Sequence, residues 1–345
     1  MTLMLLACTN PTDSQIAFDD FEASEAIAQD FAWEVVVADY ELLADRLGLL
    51  EEAVLTLQAD PAQANLEASQ QAWISAREPW ELSEGFLFGP VDAGGYDPAL
   101  DSWPVNRTDL DAVLASDDVL TQEYVSNLDP TLKGFHTAEY LLFGVDSGRT
   151  ADDLSDRELE YLVAVTAEMA SIGDLLAREW TNNGYAELVA TAGALDNTVY
   201  TSRQSLGEEM VRGMIGILDE VANGKIADPY DEADTTLVES QFSFNSLADF
   251  SDNIRSVQNV YTGDLPQGGT EGDGLDLYVA EVDPELDARV QQELMASLAA
   301  LEAIEGPFRD AILDPDSADD IEAAQEAIRT TQTTMEQDLL RLFTN

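Results

Sequence analysis

Tyr40, Leu43, Leu47, Leu50, Val54 and Leu57 follow one another in alternating steps of three and four residues. That period gathers them into a single stripe on an α-helix. The stripe predicts a long amphipathic helix that stops near Asp60-Pro61, because proline removes a donor and blocks the preceding turn. The same patterning predicts helices over 62–88, 131–143, 155–182, 185–223, 244–261, 283–305 and 317–343. Loops are expected at 89–118, 224–236 and 263–276, where turn-forming residues gather. Asn245-Ser246 reads as a helix start, with either side chain capping free backbone donors. Alternating strand patterns are scarce, so the expected class is all-α, and long helices with short turns suit two packed bundles. Gly144-Val145-Asp146-Ser147-Gly148 marks a candidate boundary. It divides the chain into a tether over 1–20, an N-terminal helical half over 21–148 and a C-terminal half over 149–345.

Two of these helices carry charge where the pattern demands apolar residues. On a projection of 100° per residue, Leu132, Phe135, Tyr140, Leu142 and Phe143 share one arc, and His136 and Glu139 fall inside it. In the segment from Trp73 to Pro90, Arg77, Glu81 and Glu84 share a sector with Trp73, Trp80, Leu87 and Phe88, although Pro79 interrupts the phase. Buried charge costs several kcal/mol unless it is paired or holds a cation. Either face alone reads as a structural ion pair. Two such faces in one chain point to a composite site formed by both segments, in which His136 and Glu139, three residues apart on one helix face, can present two ligands to one transition metal.

Charge narrows the chemistry. The chain has 69 acidic residues against 15 basic ones, a formal net charge of −54, which excludes nucleic acid as a partner. A hydrophobic share of 45% supports a real core, so the acidity describes a folded surface, suited to a salty medium that screens its self-repulsion. His136 is the one histidine. A catalytic zinc centre needs about three protein ligands and a carboxylate base, as in His-Glu-x-x-His. With a single imidazole the other ligands must be carboxylates, which suits iron, manganese or calcium. The acidic stretches 264–276 and 314–320 lack the order of a calcium-binding loop and read as solvated turns. No phosphate-cradling loop, Ser-His-Asp set or thiol nucleophile is present. Leu5-Leu6-Ala7-Cys8 resembles a lipobox, in which Cys8 would carry a lipid, residues 1–7 would be removed and the natural start would lie upstream of Met1. No other segment is long and apolar enough to cross a bilayer.

Ala76-Arg77-Glu78-Pro79-Trp80-Glu81-Leu82-Ser83-Glu84, then Phe88-Gly89-Pro90-Val91-Asp92, Ser102-Trp103-Pro104-Val105-Asn106 and Gly134-Phe135-His136-Thr137-Ala138-Glu139-Tyr140 resemble the imelysin-like family, or M75 peptidase group, whose hallmark is Gly-x-His-x-x-Glu. Glu239-Ser240-Gln241-Phe242-Ser243 through Asn259-Val260-Tyr261-Thr262-Gly263 is similar to the second-half signature of that family. The resemblance implies a periplasmic or cell-surface, lipid-anchored, all-helical protein of two halves with its site at their junction. It also implies a role in iron uptake, with iron favoured over zinc or haem. The guest would be a metal ion or iron chelate, passed to an iron permease or another uptake component. By the same resemblance the metal ligands are His136, Glu139, Glu81 and Glu84, with Arg77 holding a carboxylate in place. Asp92 or Asp101 would be a further ligand; Glu208, Glu209, Met210, Arg212, Glu239, Ser240 and Ser243 are candidates to line the cleft, with a structural role in helix and loop packing the favoured reading. Two other readings stay open: a metallopeptidase with Glu139 as base, and a cell-surface interaction module without metal.

Overall fold

The computed structural model describes residues 16–344, so Cys8 and most of the expected tether lie outside the described residues. Eight helices of ten or more residues build the fold: α1 (Ala38–Ala59), α2 (Gln63–Ser83), α3 (Gly134–Phe143), α4 (Asp156–Trp180), α5 (Arg203–Glu220), α6 (Ser246–Thr262), α7 (Pro284–Ala303) and α8 (Ala318–Thr334). Among the described residues the β pairing is limited to one bridge between Leu265 and Thr270, so the class is all-α. None of the described helices is long and apolar enough to cross a membrane.

The stripe expected on α1 is fully buried from Tyr40 to Leu57. It packs against α2 on one side and α4 on the other. α2 also meets α3 and α6, while α5 and α7 pack on α6 and α8 packs on α5 and α7. The two central helices, α2 and α6, therefore touch most of the others. α4 lies beyond the boundary expected at residue 148, yet it packs mainly on α1 and α3, which precede that boundary.

Local chemistry explains the helix ends. Ser155 caps α4 in a capping box with Glu158, and Asp283 accepts from the Leu286 amide at the start of α7. α2 runs through Pro79 without ending. The aromatic core then ties α2 to α3: Trp73 Nε1 donates to the Phe135 carbonyl at 2.9 Å, with its ring edge-on to Phe135 at 6.2 Å. Trp73 and Trp80 are both fully buried, each contributing about 2–3 kcal/mol of apolar burial.

The structure departs from the sequence expectation in four places. The helix expected over 185–223 is broken into Tyr185–Ala190 and α5, because Asn197 turns the chain between them. Its side chain donates to the Leu188 and Thr191 carbonyls and accepts from the Val199 and Tyr200 amides. The loop expected at 224–236 is instead a π-helical turn, Val221–Ile226, continuing into a short helix, Ala227–Glu232. The loop expected at 89–118 holds three short helices, Pro90–Gly94, Tyr96–Asp101 and Arg107–Leu114. At the start of α6, neither Asn245 nor Ser246 caps: Asn245 donates to Asp249, and the Ser246 hydroxyl donates to the Glu239 carbonyl.

Candidate metal centre

The charged face of α2 is buried as the pattern requires, and the reason is a cluster of opposite charge assembled from five other segments. Arg77 lies at its middle, fully buried, with its guanidinium 5.1 Å from the centre of the Phe135 ring. It pairs with Glu81 one turn along α2, with Asp101 at the end of Tyr96–Asp101, and with Glu239 at 2.7 Å. Asp249 of α6 lies 3.6 Å from Arg77 Nε. Arginine fits this place because its planar fork addresses several carboxylates at once and never loses its charge.

His136 is 2% exposed, with Nε2 3.0 Å from Asp101 Oδ1 and 3.9 Å from Glu239 Oε1. On the other side of the ring, Nδ1 lies 3.3 Å from Glu139 Oε2. The second Glu139 oxygen accepts from the Phe242 amide at 2.9 Å and from the Ser243 amide and hydroxyl at 2.7 Å each. Glu139 is thus locked behind the imidazole and turns its Nε2 toward Asp101 and Glu239. The clamping segment carries positive φ angles at Ser240 and Phe244, a strained conformation for side chains with a Cβ.

Gly134 explains how Asp101 reaches the ring. Its φ is +74°, and a Cβ there would lie 2.2 Å from the Leu100 carbonyl oxygen. Only glycine lets the end of Tyr96–Asp101 pass so close to the start of α3. Trp80 Nε1 then donates to Asp101 Oδ2 at 2.8 Å and completes its placement.

The other end of the cluster belongs to Lys225, fully buried on the π-turn. Its Nζ lies 2.7 Å from Glu84, 3.2 Å from Glu81 and 3.2 Å from Glu239. Asn253 of α6 donates to Glu81 Oε2 at 2.7 Å and to Glu84 Oε2 at 2.8 Å. Trp103 covers both ends, its ring 6.0 Å from the His136 ring and 5.8 Å from Lys225 Nζ.

Two triads within this cluster bring ligand atoms within 4.8 Å of one another: Asp101, His136 and Glu239, and Glu81, Glu84 and Asp101. Ligands on one ion at about 2.0–2.6 Å can stand no farther apart than about twice that, so either triad matches a single cation. His136 Nε2, Glu81 Oε1 and Glu239 Oε2 are buried and make no well-aligned hydrogen bond, although each lies beside another charged group. One nitrogen among carboxylate oxygens is a donor set for a hard or borderline cation.

The electrostatics agree. Among the described residues, the positive groups paired with Glu81, Glu84, Asp101, Glu139, Glu239 and Asp249 are Arg77, Lys225 and the imidazole. Burial, with Glu81 close by, pushes the Glu84 carboxyl well above its usual range despite Lys225. Burial likewise lifts Glu239 to about 8 and Asp249 to about 7. Asp101 goes the other way: burial would raise it, but Arg77 and His136 outweigh that and hold it far below the ordinary carboxylate range. Burial pulls His136 down, yet hydrogen bonds to Asp101 and Glu139 carry it to about 9. Raised carboxylates beside fixed cations mark a pocket with negative charge in excess, which protons or a metal ion can balance.

Of the residues singled out from the sequence, Arg77, Glu81, Glu84, Asp101, His136, Glu139, Glu239 and Ser243 come together here. Asp92 does not; it is exposed on Pro90–Gly94, outside both triads. Glu139 also stands outside both triads. Lys225 and Asn253 had no place in the sequence reading. One signal for Lys225 was available: it is one of two lysines in the chain, set between apolar Val221-Ala222 and Ile226-Ala227.

Known proteins resemble this chain over most of its length. The family model described as Imelysin, of the M75 peptidases, matches residues 36–335. A protein of Synechococcus elongatus named iron-regulated protein A is 33% identical over 318 residues, covering 91% of this chain and 85% of its own length. A crystal structure from Parabacteroides distasonis, described as that of an iron-regulated protein A precursor, superposes with a TM-score of 0.85 at 27% identity, covering 95% of this chain and all of its own. An imelysin-like protein of Psychrobacter arcticum shares the fold, with a TM-score of 0.74 at 14% identity over 93% of this chain and 96% of its own.

Proposed function

Because the chain belongs to the imelysin family, we propose that it is an extracytoplasmic metal-binding protein that captures iron for uptake. His136, Asp101 and Glu239 are the primary ligands in this reading, with Glu81 and Glu84 beside them. The observation that carries it is the buried excess of carboxylates around one imidazole, oriented by Glu139 through its far nitrogen. The name of the cyanobacterial relative supports iron as the guest, and an oxygen-rich set suits iron better than zinc. A closed pocket of carboxylates also suits a bare ion better than haem.

Both Glu139 oxygens are engaged, one by three donors and one by His136, which leaves no free carboxylate there to act as a peptidase base. Binding is therefore favoured over hydrolysis. Membrane attachment through Cys8 belongs to the same proposal, resting on Leu5-Leu6-Ala7-Cys8, and an uptake partner in the membrane would receive the ion.

The test is metal analysis of protein purified without chelator, followed by anaerobic titration of Fe²⁺, with Mn²⁺ and Zn²⁺ for comparison, into wild type and His136→Ala. Stoichiometric binding that weakens at least about tenfold in the variant is expected. Equal affinity in both proteins, or uptake by neither, would remove the reading.

A further inference from the structure

Lys225 is the cluster's cation on a long flexible side chain, and its partner Glu84 borders open space. Its ammonium contacts Glu81 and Glu84 of one triad and Glu239 of the other, so it already stands where a cation is wanted. The turn that carries it, Val221–Ile226, widens the end of α5 into a π-helix, a distortion that recurs at functional sites because it redirects a side chain. Glu84, 2.7 Å from the Lys225 ammonium, also lines a cavity of about 400 Å³ together with Phe88, Glu209, Arg212 and Glu220. Glu220 lies within electrostatic reach of Lys225 from the last residue of α5, and Asp97 flanks the same region.

We propose that Lys225 is a tethered counter-cation that sets the ion specificity of the cleft: a multivalent metal ion enters by displacing its ammonium from Glu81, Glu84 and Glu239 toward Glu220. This rests on the metal-binding reading above and adds the rule by which the site chooses its ion. A tethered amine competes without the loss of translational freedom that a free ion suffers, so sodium and potassium are excluded. A divalent or trivalent ion attracts each carboxylate two or three times as strongly as an ammonium at equal distance, and overcomes the tether. Arg77 cannot take this part, being held by carboxylates on several sides and stacked on Phe135.

The test uses the full chain in two measurements. Mn²⁺ is titrated calorimetrically into wild type and Lys225→Met, in low and high KCl. The variant is expected to bind Mn²⁺ at least about tenfold more tightly at low KCl, and to lose that gain as potassium takes the vacated place. In parallel, wild type labelled at its two lysines is titrated with diamagnetic Zn²⁺ and followed by NMR. The Lys225 side-chain signal is expected to shift, while that of Lys133, whose Nζ donates to the Ser126 carbonyl, stays still. Should Lys225→Met fail to fold, the NMR titration decides alone. An unmoved Lys225 signal at metal saturation, or equal or weaker Mn²⁺ binding in the variant, overturns the proposal and leaves the metal site intact. No uptake of metal by wild type or variant overturns both.

Discussion

Arg77 and Lys225 share the same buried cluster and two of the same carboxylates, Glu81 and Glu239, yet the fold holds them in opposite ways. Arg77 sits mid-helix on α2, stacked on Phe135 and forked across Asp101, Glu81 and Glu239. Lys225 sits on a widened turn, reaching its partners with a single flexible ammonium, and one of those partners, Glu84, lines a cavity. The lesson is that one buried negative cluster can hold a structural cation and a replaceable one. What separates them is the rigidity of the side chain and whether there is somewhere for it to go.

The comparison breaks most visibly at Arg77. Arg77→Met strands buried carboxylates and should cost about 3–5 kcal/mol in chemical denaturation. A loss below about 1 kcal/mol would mean that Arg77 is not the fixed end of the pair.

Glu139→Gln acts next, through His136. The carboxylate accepts from Nδ1–H and frees Nε2 for a ligand, whereas an amide can present its NH₂ to Nδ1 and leave the proton on Nε2. Metal affinity should fall by about 10–100-fold, with a loss of stability smaller than that of Arg77→Met. Unchanged affinity in a calorimetric titration would show that Glu139 does not orient the ring.

A smaller effect concerns pH. Burial lifts Asp249 and Asp252 each to about 7, against the ordinary range near 4 in the unfolded chain. Between about pH 4 and 7 the folded state therefore holds more protons than the unfolded one, and stability falls as pH rises, by roughly 1 kcal/mol per unit for each of the two groups. Urea melts at pH 5 and pH 7 should show that decline, lessened in Asp252→Asn. A melt that strengthens toward pH 7 would contradict the burial of these groups. The smallest effect belongs to Asp92→Asn: outside both triads, it should leave stability within about 0.5 kcal/mol and metal binding unaltered. A measurable loss of affinity there would extend the site beyond the cluster described.

Much of this was legible in the chain. Tyr40 through Leu57 announced α1, and the phase of Arg77, Glu81 and Glu84 survived Pro79 because α2 continues through it. Glu239 was visible only as one of several cleft candidates, since its segment is an irregular turn in which residue spacing does not report direction. Asp92 and Asp101 looked equivalent in sequence. They differ because Gly134 admits the Leu100 carbonyl, and so Asp101, to the start of α3.

By itself the sequence determined the helical class, the buried face shared by His136 and Glu139, and the charged face of α2. Each follows from the fixed advance of about 100° per residue, which is a local property. The tertiary structure alone decided that Glu81 and Glu84 meet Lys225, that Glu239 joins Asp101 beside His136, and that Glu139 stands behind the ring. Those partners are more than a hundred residues apart in several cases, and their meeting depends on how α2, α3 and α6 cross. No periodicity along a single chain encodes a crossing between helices; close packing of their side chains does.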